Sequence, residues 1–208
     1  MNRRRLLLAA IVLLVGCHDP ARRAALPPQS TVLAFGDSIT FGSGAAAGDD
    51  YPARLAALSG WQVHNAGIPG ETAEAARERI RATIAETRPA LVIVELGGND
   101  FLGRRPEAAV KNDLRAIIAA IRAADLPIVL IAVPRLSLLG AATGRLPDSP
   151  IYAELASEEK LLLVDGVLAA ILSDPALKTD PIHPNAEGYG KLAQGVADRL
   201  TSAGLLKP

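Results

Sequence analysis

The stretch Leu91-Val92-Ile93-Val94-Glu95-Leu96-Gly97-Gly98-Asn99-Asp100 decides the fold. From Leu91 to Leu96 the residues are nearly all apolar and several are β-branched; Gly97-Gly98 then closes the run. A short, nearly continuous apolar run of this kind suits a strand buried on both faces, as in a parallel sheet. The same pattern recurs on either side. Thr31 to Phe35 is an apolar strand ended by Gly36, and Trp61 to Asn65 is a less apolar one. Ile128 to Val133 is a further run stopped by Pro134, and Leu161 to Val164 makes the fifth.

Helical spacing fills the intervals. Ala73, Ala76, Ile80 and Ile84 share one face, as do Val110, Leu114, Ile117, Ile118 and Ile121. Tyr189, Leu192, Val196 and Leu200 mark a last helix with Asn185 as its predicted N-cap. Strands alternating with helices imply a parallel α/β sheet covered on both faces through right-handed crossovers. No internal repeat or second domain is apparent, so residues 30–208 form one domain.

The first residues read as an address. Arg3-Arg4-Arg5 precedes an apolar run from Leu6 to Val15, shorter than the ~20 residues a spanning helix needs. That order describes a secretory leader, residues 1–16, with a retained membrane anchor as the competing reading. Leu14-Val15-Gly16-Cys17 resembles a bacterial lipobox, in which the cysteine is acylated after cleavage; otherwise Cys17 is an inert leader residue. His18 stands where lipoproteins retained at the inner membrane carry Asp, which points to the outer membrane. The expected location is the periplasmic face of the envelope, with residues 17–29 as a tether ending in Pro27-Pro28.

Composition removes several classes of function. Acidic and basic residues balance at 22 each and aromatics make up 3%, which argues against nucleic-acid partners and stacking platforms. Cys17 is the single cysteine, so no intrachain disulfide can form. His18, His64 and His183 are far apart and build no metal motif. Gly42-Ser43-Gly44-Ala45-Ala46-Ala47 matches a dinucleotide fingerprint, but it lies beyond the first turn and no acidic residue ends the second strand. No cofactor and no metal are therefore expected.

In a parallel α/β sheet, ligands bind at the carboxyl ends of the strands. The segments there are Gly36-Asp37-Ser38-Ile39-Thr40, Asn65-Ala66-Gly67-Ile68-Pro69-Gly70, Gly97-Gly98-Asn99-Asp100 and Asp180-Pro181-Ile182-His183-Pro184-Asn185. They offer a hydroxyl, an imidazole, a carboxylate and hydrogen-bond donors. Serine needs a base to become a nucleophile, histidine suits that role near neutral pH, and a carboxylate fixes the ring. Asp180 and His183, three apart, can be aimed by one turn.

These four segments resemble, in order, the sequence blocks of the SGNH hydrolases, also called the GDSL esterase family. The resemblance implies a flavodoxin-like three-layer α/β/α sandwich with about five parallel strands. It implies Ser38 as nucleophile, His183 as base and Asp180 as its orienting acid. It also implies an oxyanion hole from the Ser38 N–H, the Gly70 N–H and the Asn99 side chain. Val94 to Asp100 looks closest to the arylesterase and thioesterase–lysophospholipase branch. Ile39 replaces the leucine of the family's name, and Glu71 follows Gly70 where a close relative more often has Asp.

The expected substrate is a small-molecule acyl ester: an aryl or alkyl ester, a thioester or a lysophospholipid. Sugar O-deacetylation is a second enzymatic reading. A lipoprotein that binds without catalysis is the alternative of another class, disfavoured because Ser38, Asn99, Asp180 and His183 are all present. Residues 45–51, 136–139 and 147–152 are the expected pocket walls. Asp37 is read as a hydrogen-bonder fixing the nucleophile loop, Gly67 as a turn glycine, and His64 as packed or exposed without chemistry. Glu95 should pair with a backbone or basic group, because a lone carboxylate is costly to bury.

Overall fold

The computed structural model describes residues 24–135 and 146–207. Five parallel strands are arranged in the order β2-β1-β3-β4-β5: β1 Thr31–Gly36, β2 Gln62–Gly67, β3 Leu91–Glu95, β4 Ile128–Ile131 and β5 Leu162–Val164. This is the flavodoxin-like order, in which the chain reverses direction across the sheet between β1 and β3. The register sets Gly36 beside Glu95, so the loops after β1 and β3 emerge side by side at that reversal.

Helices cover both faces. On one, α3 (Ala73–Thr87) packs against α5 (Glu107–Arg122), and α5 against α6 (Pro150–Glu159). On the other, α8 (Ala186–Ser202) packs against α2 (Tyr51–Ser59) and α7 (Val167–Ser173). Two short helices, α1 (Ser38–Phe41) and α4 (Gly98–Leu102), sit at the carboxyl edge. β1 and β3 are central and their apolar side chains are fully buried, as their unbroken apolar patterns require. β2 is an edge strand and half exposed, which explains its weaker apolar pattern; His64 is exposed on it.

Several boundaries differ from those expected. The fourth run leaves the ladder after Ile131: the Ala132 N–H still donates to Val164 O, but Pro134 bridges Asp148 instead. The second strand begins after Trp61, whose ring is buried, and continues to Gly67 opposite Gly36. The last part of the expected tether belongs to the domain. The Leu26 N–H donates to Leu205 O, the Gln29 N–H donates to Gly60 O, and Leu26 packs on the core. Asn185 caps α8 as predicted, its side chain accepting from the Gly188 N–H.

Candidate active site

Ser38 is the first residue of α1, which begins immediately after β1 and Asp37. The turn is tight. A Cβ on Gly36 would lie 2.0 Å from Thr40 Oγ1 and 2.4 Å from Glu95 O, so no larger residue fits there. Asp37 caps α1 by accepting from the Ile39 N–H at 3.0 Å, and Gly42 ends it with φ +99. The Ser38 hydroxyl is thereby held at the sheet edge.

His183 reaches Ser38 from the loop before α8. Its Nε2 lies 3.0 Å from Ser38 Oγ and its Nδ1 lies 2.7 Å from Asp180 Oδ2. The other Asp180 oxygen accepts from the Ile182 N–H at 2.8 Å and the His183 N–H at 2.9 Å. One carboxylate thus orients the ring and shapes the backbone of its own turn. Burial pushes the Asp180 carboxyl up, but the bonds from the His183 ring and the two N–H groups prevail, holding its pKa below the ordinary value. It is therefore an anion at neutral pH, able to stabilise an imidazolium.

The histidine loop is tied to the loop after α1. The Thr179 hydroxyl donates to Gly44 O at 2.8 Å and the Tyr189 hydroxyl to Ser43 O at 2.7 Å. A Cβ on Gly44 would meet Pro184 O at 2.7 Å. The glycines of the apparent dinucleotide fingerprint thus have structural duties: Gly42 ends α1 and Gly44 admits the histidine loop.

The three expected oxyanion donors differ in state. No bond among the described residues engages the N–H of Ser38 or of Gly70. The Asn99 carboxamide, by contrast, has both N–H groups engaged. Nδ2 donates to Glu71 O at 2.9 Å and to Asp37 Oδ2 at 3.2 Å. Asn99 can help an oxyanion only by sharing or releasing one of these, and the longer bond, to Asp37, is the easier to give up. Gly70 has φ +81, the left-handed region that favours glycine. Gly67 proves not to be a turn glycine. It ends β2, where a Cβ would lie 2.1 Å from the Phe41 N, so it permits close backbone approach to α1.

Sequence reasoning missed Arg79. Its guanidinium donates to Gly36 O and Ala66 O, at 3.2 and 2.9 Å, pairs with Glu71, and lies 4.0 Å over the Phe35 ring. It ties the ends of β1 and β2 beneath Ser38. The visible signal was Glu71, its partner, which stands where a close relative more often has Asp. Glu95 meets the backbone half of the expectation: its partners are the Asp37 backbone N–H and the Thr40 hydroxyl, which donates at 3.0 Å, and no basic group pairs with it among the described residues.

The cleft beside Ser38 is lined by Ile39, Leu102, Val133, Leu168, Leu172 and Ile182. Neither residues 45–51 nor residues 147–152 line it. Tyr51 and Tyr152 instead point into the core, where they hydrogen-bond the Thr40 hydroxyl and Leu96 O. Leu136 to Leu139 lie outside the described residues. Among the described residues no three His, Cys, Asp or Glu side chains gather as a metal site.

The sheet and this hydroxyl–imidazole–carboxylate series define the class: a hydrolase of the serine type on a flavodoxin-like frame. The profile of the GDSL-like lipase/acylhydrolase family matches residues 34–191, and the chain belongs to that family. It is 32% identical over 178 residues to thioesterase 1/protease 1/lysophospholipase L1 of Escherichia coli (strain K12), covering 82% of this chain and 83% of that protein. It is 29% identical over 191 residues to esterase TesA of Pseudomonas aeruginosa, covering 89% and 94%. Among solved structures, a crystal structure of TesA superposes with a TM-score of 0.72 at 29% identity, covering 83% of this chain and 99% of that one. AlinE4, an SGNH-hydrolase family esterase, superposes with 0.66 at 30% identity, covering 86% and 98%. The protein is a serine esterase of this family.

Proposed function

We propose that the protein is an exported hydrolase of small acyl esters that works through an acyl-Ser38 intermediate. The observation that supports this best is the unbroken series Asp180 Oδ2–His183 Nδ1, His183 Nε2–Ser38 Oγ, at 2.7 and 3.0 Å. Ser38 Oγ attacks the acyl carbonyl while its proton passes to His183 Nε2. Charge gathers on the carbonyl oxygen, toward the N–H groups of Ser38 and Gly70 and the Asn99 carboxamide. The tetrahedral species collapses, and the leaving alcohol or thiol takes the proton from His183. Water, deprotonated by His183, then attacks the acyl-serine. Expulsion of Ser38 Oγ, which regains its proton from the ring, releases the acid.

The apolar side chains of Val133, Leu168 and Leu172 beside Ser38 suit the hydrocarbon of an acyl group. The relatives' names, thioesterase, lysophospholipase and esterase, agree with aryl or alkyl esters, thioesters or lysophospholipids as substrates. Export rests on the basic and apolar leader, and attachment by acylated Cys17 on the lipobox-like ending. Both lie outside the described residues. A p-nitrophenyl ester series from acetate to palmitate, with a thioester and a lysophospholipid beside it, tests the substrate class. Turnover of acetate alone would redirect the reading to O-deacetylation, and no turnover in folded protein would refute it.

A further inference from the structure

Two carboxyl groups lie buried together beneath the nucleophile turn. Glu95 is fully buried and Asp37 is 2% exposed. Each carboxyl influences the other's proton affinity, and a hydrogen bond between them requires a proton, because two carboxylates offer only acceptors. Their hydrogen-bond partners are neutral: the Ile39 N–H and the Asn99 carboxamide on Asp37, the Thr40 hydroxyl and the Asp37 backbone N–H on Glu95. Thr40 Oγ1 in turn lies 3.4 Å from the Tyr51 hydroxyl. One oxygen of the set, Glu95 Oε1, is buried and has no hydrogen-bond donor among the described residues. An orphaned buried oxygen is costly, and a proton on Oε1 removes the cost by making it the donor to Asp37.

We propose that Glu95 works as a neutral carboxylic acid whose Oε1 proton is donated to Asp37, and that this acid pair positions the Asn99 carboxamide for the reaction at Ser38. The proposal rests on the reading of Ser38 as nucleophile. Asp37 so held is an acceptor for three donors: Glu95, Ile39 and Asn99. Sharing the Glu95 proton spreads the Asp37 charge, so its bond to Asn99 orients the amide while remaining weak enough to exchange for an oxyanion. Glu95 and Asp37 are positioning residues; neither touches substrate in this scheme.

The surroundings agree. Burial is the largest influence on both groups and raises both pKa values; the Asp37 charge raises Glu95 further, whereas the interaction with Glu95 lowers Asp37, which favours the proton on Glu95. The remaining ionisable groups facing the pair are Asp100 on α4, His183, and the tyrosines Tyr51, Tyr152 and Tyr189 from α2, α6 and α8. Asp100 is itself paired with Arg105. Arg79, at the same edge, is engaged by two carbonyls and Glu71.

The test compares Glu95→Gln, Glu95→Leu and the parent protein on p-nitrophenyl butyrate, with Ser38→Ala as control. Gln keeps a donor toward Asp37 and an acceptor for Thr40, whereas Leu keeps neither. We expect Glu95→Leu to lose on the order of tenfold in kcat with KM little changed, and Glu95→Gln to restore kcat to within about threefold of the parent. Equal loss in folded Gln and Leu variants, or no loss in the Leu variant, overturns the proposal. Should the Leu variant fail to fold, infrared spectroscopy decides. A protonated-carboxyl carbonyl band at neutral pH must be present in the parent and absent in Glu95→Gln; a parent without that band refutes the proposal. Activity in Ser38→Ala would instead refute the nucleophile assignment, leaving the infrared result to stand alone.

Discussion

Replacing Glu95 by Gln should make the protein's stability less sensitive to rising pH. An ordinary glutamate ionises near ~4.3, so the unfolded chain has released this proton at neutral pH. In the folded chain, burial of Glu95 raises its pKa well above the ordinary value. Above ~4.3 the folded state therefore holds one proton more than the unfolded state, and stability falls by about 1.4 kcal/mol per pH unit until the folded pKa is passed. The sign follows from the raised pKa: this contribution is fully present below the unfolded value and is lost as pH rises. Glutamine carries no such proton. Above the unfolded value and up to the folded pKa, the Gln variant should gain about 1.4 kcal/mol on the parent per pH unit, whatever their difference at the starting pH. With an m-value of about 2 kcal/mol/M, the urea midpoints diverge by about 0.7 M for each pH unit in that range. Equilibrium urea melts at several pH values measure this. Parallel midpoint curves for the two proteins would show that Glu95 is ionised in the folded state and would refute the reasoning.

Asp180→Asn removes the anion that orients His183, and kcat should fall by on the order of 10³–10⁴ with folding retained, as steady-state kinetics and circular dichroism would show. On the proposed oxyanion role, in which the amide acts on charge present only in the transition state, Asn99→Ala should lower kcat by about 10²–10³ while moving KM little in steady-state kinetics. Two glycines should respond differently in thermal melts. Gly67→Ala places a Cβ 2.1 Å from the Phe41 N and should cost several kcal/mol, of the order of a severe overpacking (~3). Gly70→Ala points into open space and should cost only the left-handed strain of about 1–2 kcal/mol.

Much of the frame was legible because β1 and β3 are interior strands, and burial on both faces forces the nearly continuous apolar runs of Thr31–Phe35 and Leu91–Leu96. β2 was harder, since an edge strand can be polar, and its extension to Gly67 depends on pairing with β1. The end of β4 was overestimated because Ala132 and Val133 are buried outside any ladder. Ser38 and Asn99 stood out because they follow strands at one edge of the sheet, and Asp180 and His183 because their spacing pairs a carboxylate with an imidazole just before the last helix. Glu95 and Arg79 did not, because their partners lie far away in sequence: Asp37 and Thr40 for one, Gly36 and Ala66 for the other. Nor could spacing reveal that Asn99 is already engaged by Asp37 and Glu71.

The central claim is that Ser38, activated by His183 and Asp180, carries the acyl group. Mass spectrometry of the intact protein after reaction with a p-nitrophenyl fluorophosphonate or a slow acyl ester tests it most directly. The account predicts a single stoichiometric adduct on the Ser38 peptide, absent from Ser38→Ala, which should also lose ester turnover. An adduct on another residue, or undiminished turnover by a folded Ser38→Ala variant, would contradict it.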